Sequence, residues 1–289
     1  MKFNPRKKER ISVLGASMAY VEAGKGNPIV LLHGNPTSSF LWRNVIPELT
    51  GLGRCIAPDL IGMGDSTQIA AGPNAYRFVE HREYLEVLLT LLGVDEKVTL
   101  IGHDWGGALL FDWGRRNAAA VRAVVYMETI VTTPAMDDWP ESARSIFTAM
   151  RGEAGEEMVL DKNLFVERIL PASVLDPMTE ETLNEYRRPY MVPGESRRPT
   201  LTWPREIPFD GRPSDVAEIV AANEVWMESA NVPKLFVNAE PGSILTGRVR
   251  EVCRTWKNQT EVTVRGSHFV QEDSGAEIGR AIADFLKTV

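Results

Sequence analysis

Short runs of consecutive apolar residues alternate along the first half of the chain with stretches whose apolar positions recur every third or fourth residue. The runs Ile11–Leu14, Met18–Ala23, Ile29–His33, Cys55–Pro58, Val98–Gly102 and Ala123–Met127 predict strands. Arg77–Leu92, with Phe78, Tyr84, Leu85, Leu88, Leu89 and Leu92 at helical spacing, predicts an amphipathic helix. Ile29-Val30-Leu31-Leu32 and Ala123-Val124-Val125-Tyr126 are apolar on successive positions, so both faces of those strands must be covered. That pattern suits a parallel sheet layered between helices. The first two runs follow one another closely and predict an antiparallel hairpin at a sheet edge.

The rhythm breaks after Glu128. Residues 130–209 show helical segments, no strand pattern, and nine of the chain's 18 prolines, at positions 134, 140, 171, 177, 189, 193, 199, 204 and 208. Such a density predicts short helices joined by stiff loops. The α/β rhythm then resumes, with strands expected at Leu235–Ala239 and Glu261–Val264 and a helix at Gly247–Trp256. The last helix is expected to open on the capping box Ser274-Gly275-Ala276-Glu277 and to bury Ile278, Ala281, Ile282, Phe285 and Leu286. The expected organisation is an α/β core formed by residues 1–129 and 210–289, interrupted by a helical cap over 130–209.

Composition narrows the partners. The 289 residues carry 32 Lys+Arg against 39 Asp+Glu, a net charge of −7, which disfavours nucleic acid. The basic run Arg6-Lys7-Lys8-Glu9-Arg10 is too short to reverse this. A hydrophobic content of 44% excludes general disorder. The two cysteines, Cys55 and Cys253, lie far apart and read as buried free thiols of a reducing compartment, neither a disulfide nor a zinc site. No apolar run has the length of a membrane span, and the basic N-terminus leads into no signal-peptide core, so a cytoplasmic protein is expected.

The segment Val98–Ala108 carries the most chemistry. A buried strand runs into Gly102-His103-Asp104-Trp105-Gly106 and then into a helix with Leu109, Leu110 and Trp113. Gly-x-Asp-x-Gly at a strand-to-helix turn is the form of a nucleophile elbow, whose middle residue projects from the turn. Asp at such a junction also serves as a helix N-cap, and the pentapeptide alone does not separate the two roles. A carboxylate nucleophile is ionised without help and suits displacement at a carbon bearing a good leaving group. The resulting ester must be cleaved by water, which calls for a histidine base and a carboxylate to hold its tautomer.

Among the four histidines, His268 lies in Arg265–Asp273, after the last strand and before the last helix, where such a base belongs. His33 and His103 read as structural, and His81 falls on a surface helix. The orienting carboxylate is Glu128 or Glu240, each at the end of a strand. Glu128 is favoured because its strand is nearer the elbow. The loop His33–Ser39 can offer backbone N–H groups to an oxyanion together with that of Trp105. The Asn35 amide and the Trp105 indole are neutral donors that could hold a departing halide, although Asn also favours turns and Trp packing.

These phrases together resemble the haloalkane dehalogenases of the α/β-hydrolase superfamily. The likeness runs through His33–Ser39, Pro58–Ser66, His103–Gly106, Tyr126–Glu128, Arg197–Arg205 and His268–Asp273. It resembles the subfamily whose acid follows the sixth strand. The resemblance implies an α/β-hydrolase fold, with a mostly parallel eight-stranded sheet flanked by helices and an inserted cap. It implies Asp104 as nucleophile, His268 as base, Glu128 as its partner, and Asn35 and Trp105 as halide donors. A halogenated aliphatic substrate would give an alcohol, a halide and a proton through an ester on Asp104, with no metal or organic cofactor. The implied pocket and tunnel residues are Trp139, Phe147, Phe165, Ser173, Trp203, Pro204 and Ile244. Ser173 stands where relatives often carry a larger apolar residue, implying a wider or wetter mouth.

Three rival readings share the scaffold. An epoxide hydrolase also uses an Asp elbow but needs acidic donors, for which Tyr186 and Tyr190 are the cap candidates. A coelenterazine-type cofactor-independent luciferase or oxygenase resembles the family at the same five positions. A non-enzymatic receptor would leave the triad and the donors without use. Monomer and homodimer are both compatible with the composition.

Overall fold

The computed structural model describes residues 3–69, 72–139 and 141–289. Eight strands form one sheet in the order β1-β2-β4-β3-β5-β6-β7-β8. They are β1 (Glu9–Val13), β2 (Ala16–Gly24), β3 (Pro28–Leu32), β4 (Arg54–Pro58), β5 (Val98–Asp104), β6 (Val121–Thr129), β7 (Lys234–Pro241) and β8 (Gln259–Gly266). β2 runs antiparallel to both neighbours, and every other pairing is parallel. The predicted edge hairpin is β1–β2, which turns at Leu14, left-handed and exposed.

Successive residues of the central strands feed two separate cores. Val30, Leu32, Leu100, Val124 and Tyr126 pack on one face of the sheet, and Ile29, Leu31, Ile101 and Val125 on the other. This is why those strands are apolar without alternation, and each such side chain fully removed from water contributes about 1.5–3 kcal/mol. Cys55 and Cys253 are buried and free, and burial pushes both thiols up to about 12.

Between β6 and β7 the described residues contain helices and no strand. Glu141–Arg151, Glu180–Arg187 and Arg198–Glu206 are short α-helices, and Glu156–Asp161 and Phe165–Ile169 wind as π-helix. Helix ends here are satisfied by arginines. Arg151 Nη1 donates to the carbonyls of Pro204, Arg205 and Ile207 at 2.8, 3.1 and 2.7 Å. Arg197 does the same for Tyr190, Leu160 and Asp161.

Two local expectations are corrected. The last helix opens at Val270 instead of Ser274, and the backbone leaves helical geometry at Ser274, whose hydroxyl donates to the Arg265 carbonyl. His81 does not face solvent: it lies on the inner stripe of the helix Phe78–Leu91 with Phe78, Leu85 and Leu88 and is 1% exposed.

Candidate active site

The functional candidates meet beyond the carboxyl ends of the parallel strands, where open α/β sheets place their sites. β5 ends in a turn that holds Asp104 at φ 51° and ψ −132°, followed at once by the helix Trp105–Arg116. A non-glycine residue in such a conformation costs about 1–3 kcal/mol, which the flanking packing must offset. Gly102 and Gly106 permit the turn, because a Cβ on the first would strike Gly107 and one on the second the carbonyls of Leu32 and His33. The Asp104 side chain makes no capping bond to its own helix. Its Oδ1 accepts from the Asn35 N–H at 2.7 Å, and its Oδ2 lies 3.5 Å from His268 Nε2.

Glu128 reaches the histidine through an irregularity in the sheet. His103 pairs with Met127 and Asp104 with Thr129, so Glu128 is the unpaired residue of a bulge, at φ 41°. Bulges re-aim a side chain. The buried carboxylate accepts from the N–H groups of Ser243, Ile244 and Leu245 at 3.0, 2.8 and 3.3 Å, and Oε2 stands 3.5 Å from His268 Nδ1. Glu240 is exposed and pairs with Arg250 at 3.2 Å, away from the histidine.

The loop carrying His268 is fixed from several sides. Glu272 forms a two-bond pair with Arg43 at 2.6 and 2.5 Å and accepts from the Tyr186 hydroxyl at 2.5 Å. Asp273 accepts from the N–H of Ser267 and from that of Leu175 at 2.9 and 2.8 Å, and Phe269 N–H donates to the Ser173 carbonyl at 3.1 Å. The histidine loop and the tunnel-side segment 173–175 are therefore held as one piece. His103 Nε2 lies 2.8 Å from the His268 carbonyl, and His33 Nε2 accepts from Leu60 N–H at 3.0 Å.

Electrostatics separates the four histidines. Burial pushes His33 down to about 4 and His81 to about 3; burial and the neighbouring His268 push His103 down to about 3. Burial would lower His268 as well, but Asp104 and Glu128 outweigh it and raise it to about 9. Asp104 is the mirror case: burial would raise the carboxyl, but the neighbouring His268 and, to a lesser degree, the Trp105 backbone N–H hold it below the usual range. One imidazole alone is thus charged at neutral pH.

A cavity of about 690 Å³ opens onto these groups. Asn35, Asp104, Trp105 and His268 line it, together with Trp139, Phe147, Phe165, Ser173, Pro204 and Ile244. Trp203, expected at the pocket, stands behind the wall, stacked on Trp105 with ring centroids 4.7 Å apart. Ile130, Leu164, Arg168, Ile207 and Ser243 also line the cavity and were not anticipated. Trp139 meets Phe147 and Phe209 edge-on at 4.5 and 5.1 Å, which stiffens the apolar wall. Tyr186 and Tyr190 are buried outside the cavity lining.

Comparison with known proteins agrees over the length of the chain. Residues 27–166 match the family model of the alpha/beta hydrolase fold. A haloalkane dehalogenase of Sphingobium indicum is 51% identical over 281 residues, covering 97% of this chain and 95% of that one. One from Mycolicibacterium smegmatis is 46% identical over 278 residues, covering 95% and 89%. The crystal structure of haloalkane dehalogenase DbeA from Bradyrhizobium elkani superposes with a TM-score of 0.93 at 37% identity, covering 98% of each chain.

Proposed function

This chain belongs to the haloalkane dehalogenases of the α/β-hydrolase fold, and from that premise we propose that Asp104, His268 and Glu128 act as its nucleophile, base and orienting acid. The reaction is hydrolytic dehalogenation of haloalkanes. One arrangement carries the assignment of residues: Asp104 held between the Asn35 amide and His268, with Glu128 behind the imidazole and a largely apolar cavity in front.

In this reading Asp104 attacks the halogen-bearing carbon from the face opposite the halogen. The new C–O bond forms as the C–halogen bond breaks, and the electron pair leaves with the halide toward the Asn35 amide and the Trp105 indole. Both donors are neutral, so they stabilise the expelled anion without drawing the Asp104 carboxylate into a salt bridge. Esterification then removes the Asp104 charge, one of the groups that keep His268 protonated. The imidazole loses its proton and takes one from water, which attacks the ester carbonyl carbon. The Asn35 and Trp105 backbone N–H groups, which face the Asp104 carboxylate in the resting site, receive the oxyanion. Collapse breaks the acyl C–O bond to the alkyl group, the departing alkoxide takes the proton from His268 Nε2 and leaves as the alcohol, and the Asp104 carboxyl returns its own proton to the imidazole, which restores the carboxylate. Glu128 keeps Nδ1 protonated and stabilises the imidazolium.

The epoxide reading needs phenolic donors at the leaving oxygen. Tyr186 donates to Glu272, and Tyr190 is buried away from the cavity. The deciding experiment uses His268→Phe with 1,2-dibromoethane. It should release about one bromide per enzyme, within the first turnover, and gain the alkyl mass, because displacement needs no base whereas hydrolysis does. Unmodified protein under conditions where the wild type turns over would refute the residue assignment. Diol formation from an epoxide with no halide release from any haloalkane would refute the reaction.

A further inference from the structure

Arg168 is the one Lys or Arg among the described residues lining the catalytic cavity. It is exposed, it sits in the π-helical segment Phe165–Ile169, and its side chain makes no hydrogen bond or ion pair among the described residues. Its neighbour Glu167 also lines the cavity but is engaged elsewhere: both carboxylate oxygens accept from Arg187 Nε, at 3.0 and 2.9 Å. Arg187 is in turn bound by Glu180 and Asn184. One guanidinium, that of Arg187, thus serves both Glu167 and Glu180, and Arg168 is left as the cation of the cavity wall whose own side chain has no partner among the described residues, in a chain whose net charge is −7.

The rest of that wall is largely apolar, built from Trp139, Ile146, Phe147, Phe165, Ile169 and Ile244. A substrate threading it would present its halogenated end to Asp104, its methylene chain to these residues, and its far end outward. On the proposed dehalogenase function, we infer that Arg168 makes this enzyme selective for haloalkanes that end in an anionic group, with ω-halocarboxylates as the substrate class. The guanidinium offers paired N–H donors to a terminal carboxylate. At the other end of the cavity the protonated His268 stands between Asp104 and Glu128 and offsets one of these two negative charges, which tempers their repulsion of the incoming anion. No new chemical step is required, because the displaced halide and the ester on Asp104 are unchanged.

The test is bromide release from 6-bromohexanoate, from its neutral methyl ester and from 1-bromohexane, using wild type, Arg168→Gln and Arg168→Glu. The readout is the ratio of kcat/KM for the acid to that for the ester, which cancels any change common to both. An exposed pair of this kind changes affinity by about two- to fivefold. The ratio should fall by that factor in Arg168→Gln, through KM and not kcat, and further in Arg168→Glu. The wild-type ratio should also fall toward the Arg168→Gln value at high salt, since exposed charges are screened. Repeating the series from 4-bromobutanoate to 8-bromooctanoate should reveal a preferred length in wild type that Arg168→Gln loses. An identical ratio in all three proteins at low salt would overturn the inference while leaving the reaction intact. Absence of bromide from the ester and from 1-bromohexane would overturn the dehalogenase reading itself, and this inference with it.

Discussion

Asn35 Nδ2 donates to the Thr200 carbonyl at 3.3 Å, an acceptor left open because Pro204, four residues further along the helix Arg198–Glu206, has no N–H to give it. The proline thus creates the partner that aims the proposed halide donor, with the second amide hydrogen free for the anion. Pro204→Ala would supply a helical N–H that competes for Thr200. Net hydrogen bonds of this type are worth about 1 kcal/mol, so iodide affinity should weaken by about three- to tenfold. Quenching of tryptophan fluorescence measures it. Ile207→Ala, another change in the cavity wall but one that adds no N–H, serves as the comparison. Equal affinities in Pro204→Ala and wild type would show that Asn35 is aimed without the proline.

Much of this arrangement was legible in the sequence, because strand, turn and helix signals at the elbow agree with one another. Val98–Gly102 is apolar on both faces, Gly102 and Gly106 bracket the projecting residue, and the helix pattern starts at once. His81 was misplaced for an instructive reason. It stands three residues after Phe78 and four before Leu85, squarely on the buried stripe of a helix whose other face meets solvent. That spacing was the available signal. Trp203 could not be separated from Trp105 by pattern, since two adjacent indoles are equally apolar and only packing decides which one faces the cavity. Arg168 lies in a π-helical stretch, where the turn is wider than in an α-helix and positions three apart no longer share a face, so the 3.6-residue pattern does not place it.

The two candidate acids give opposite expectations. Glu128 is buried, accepts three backbone N–H groups and lies 3.5 Å from His268 Nδ1. Glu240 is exposed and meets Arg250. Glu128→Gln keeps the shape but removes the charge that stabilises the imidazolium. Turnover should drop by about a hundredfold or more, with the first-turnover halide burst retained, because hydrolysis is the step that uses the base. Glu240→Gln should stay within about twofold of wild type, as exposed pairs contribute little. A larger loss from Glu240→Gln would transfer the role to β7.

Displacement and hydrolysis should respond differently to pH. In the free enzyme His268 is raised to about 9 and Asp104 lies below its ordinary 3.8, so both are charged between those limits. The halide burst needs only the Asp104 carboxylate and should be flat across that range. After alkylation the upward pull of Asp104 on His268 is gone and burial still pulls it down, so the base titrates below 9. Steady-state turnover limited by hydrolysis should therefore rise with pH through a midpoint lower than 9. A matching sign holds for stability. A histidine raised from 6.5 to about 9 on folding stabilises fully below 6.5, and that contribution is lost as pH climbs through 9. Melting temperature should fall over this window in wild type and less so in His268→Phe. A burst that follows the same titration as turnover would contradict this division of labour.

His81 backs the proposed halide donor Trp105 through Trp203. Its ring stacks on Trp203 with centroids 4.3 Å apart and planes 18° apart, and Trp203 stacks on Trp105 at 4.7 Å and 23°. Neither ring nitrogen has a protein partner, and burial keeps the imidazole neutral. The ring therefore acts as a flat spacer and contributes through packing, not through hydrogen bonds. Removing it in His81→Ala should cost about 3 kcal/mol of stability, as large-to-small changes in a packed core do. It should also weaken halide binding, because the indole column loses its backing. His81→Phe restores a flat ring and eliminates two buried polar atoms, which offsets the strain of a slightly larger group. It should match or exceed wild type in thermal stability and restore halide affinity to within about twofold, a change of under half a kilocalorie per mole. Chemical denaturation and iodide titration of the two variants decide the matter. If His81→Phe is as damaged as His81→Ala, the nitrogens themselves are required and stacking alone does not explain the residue.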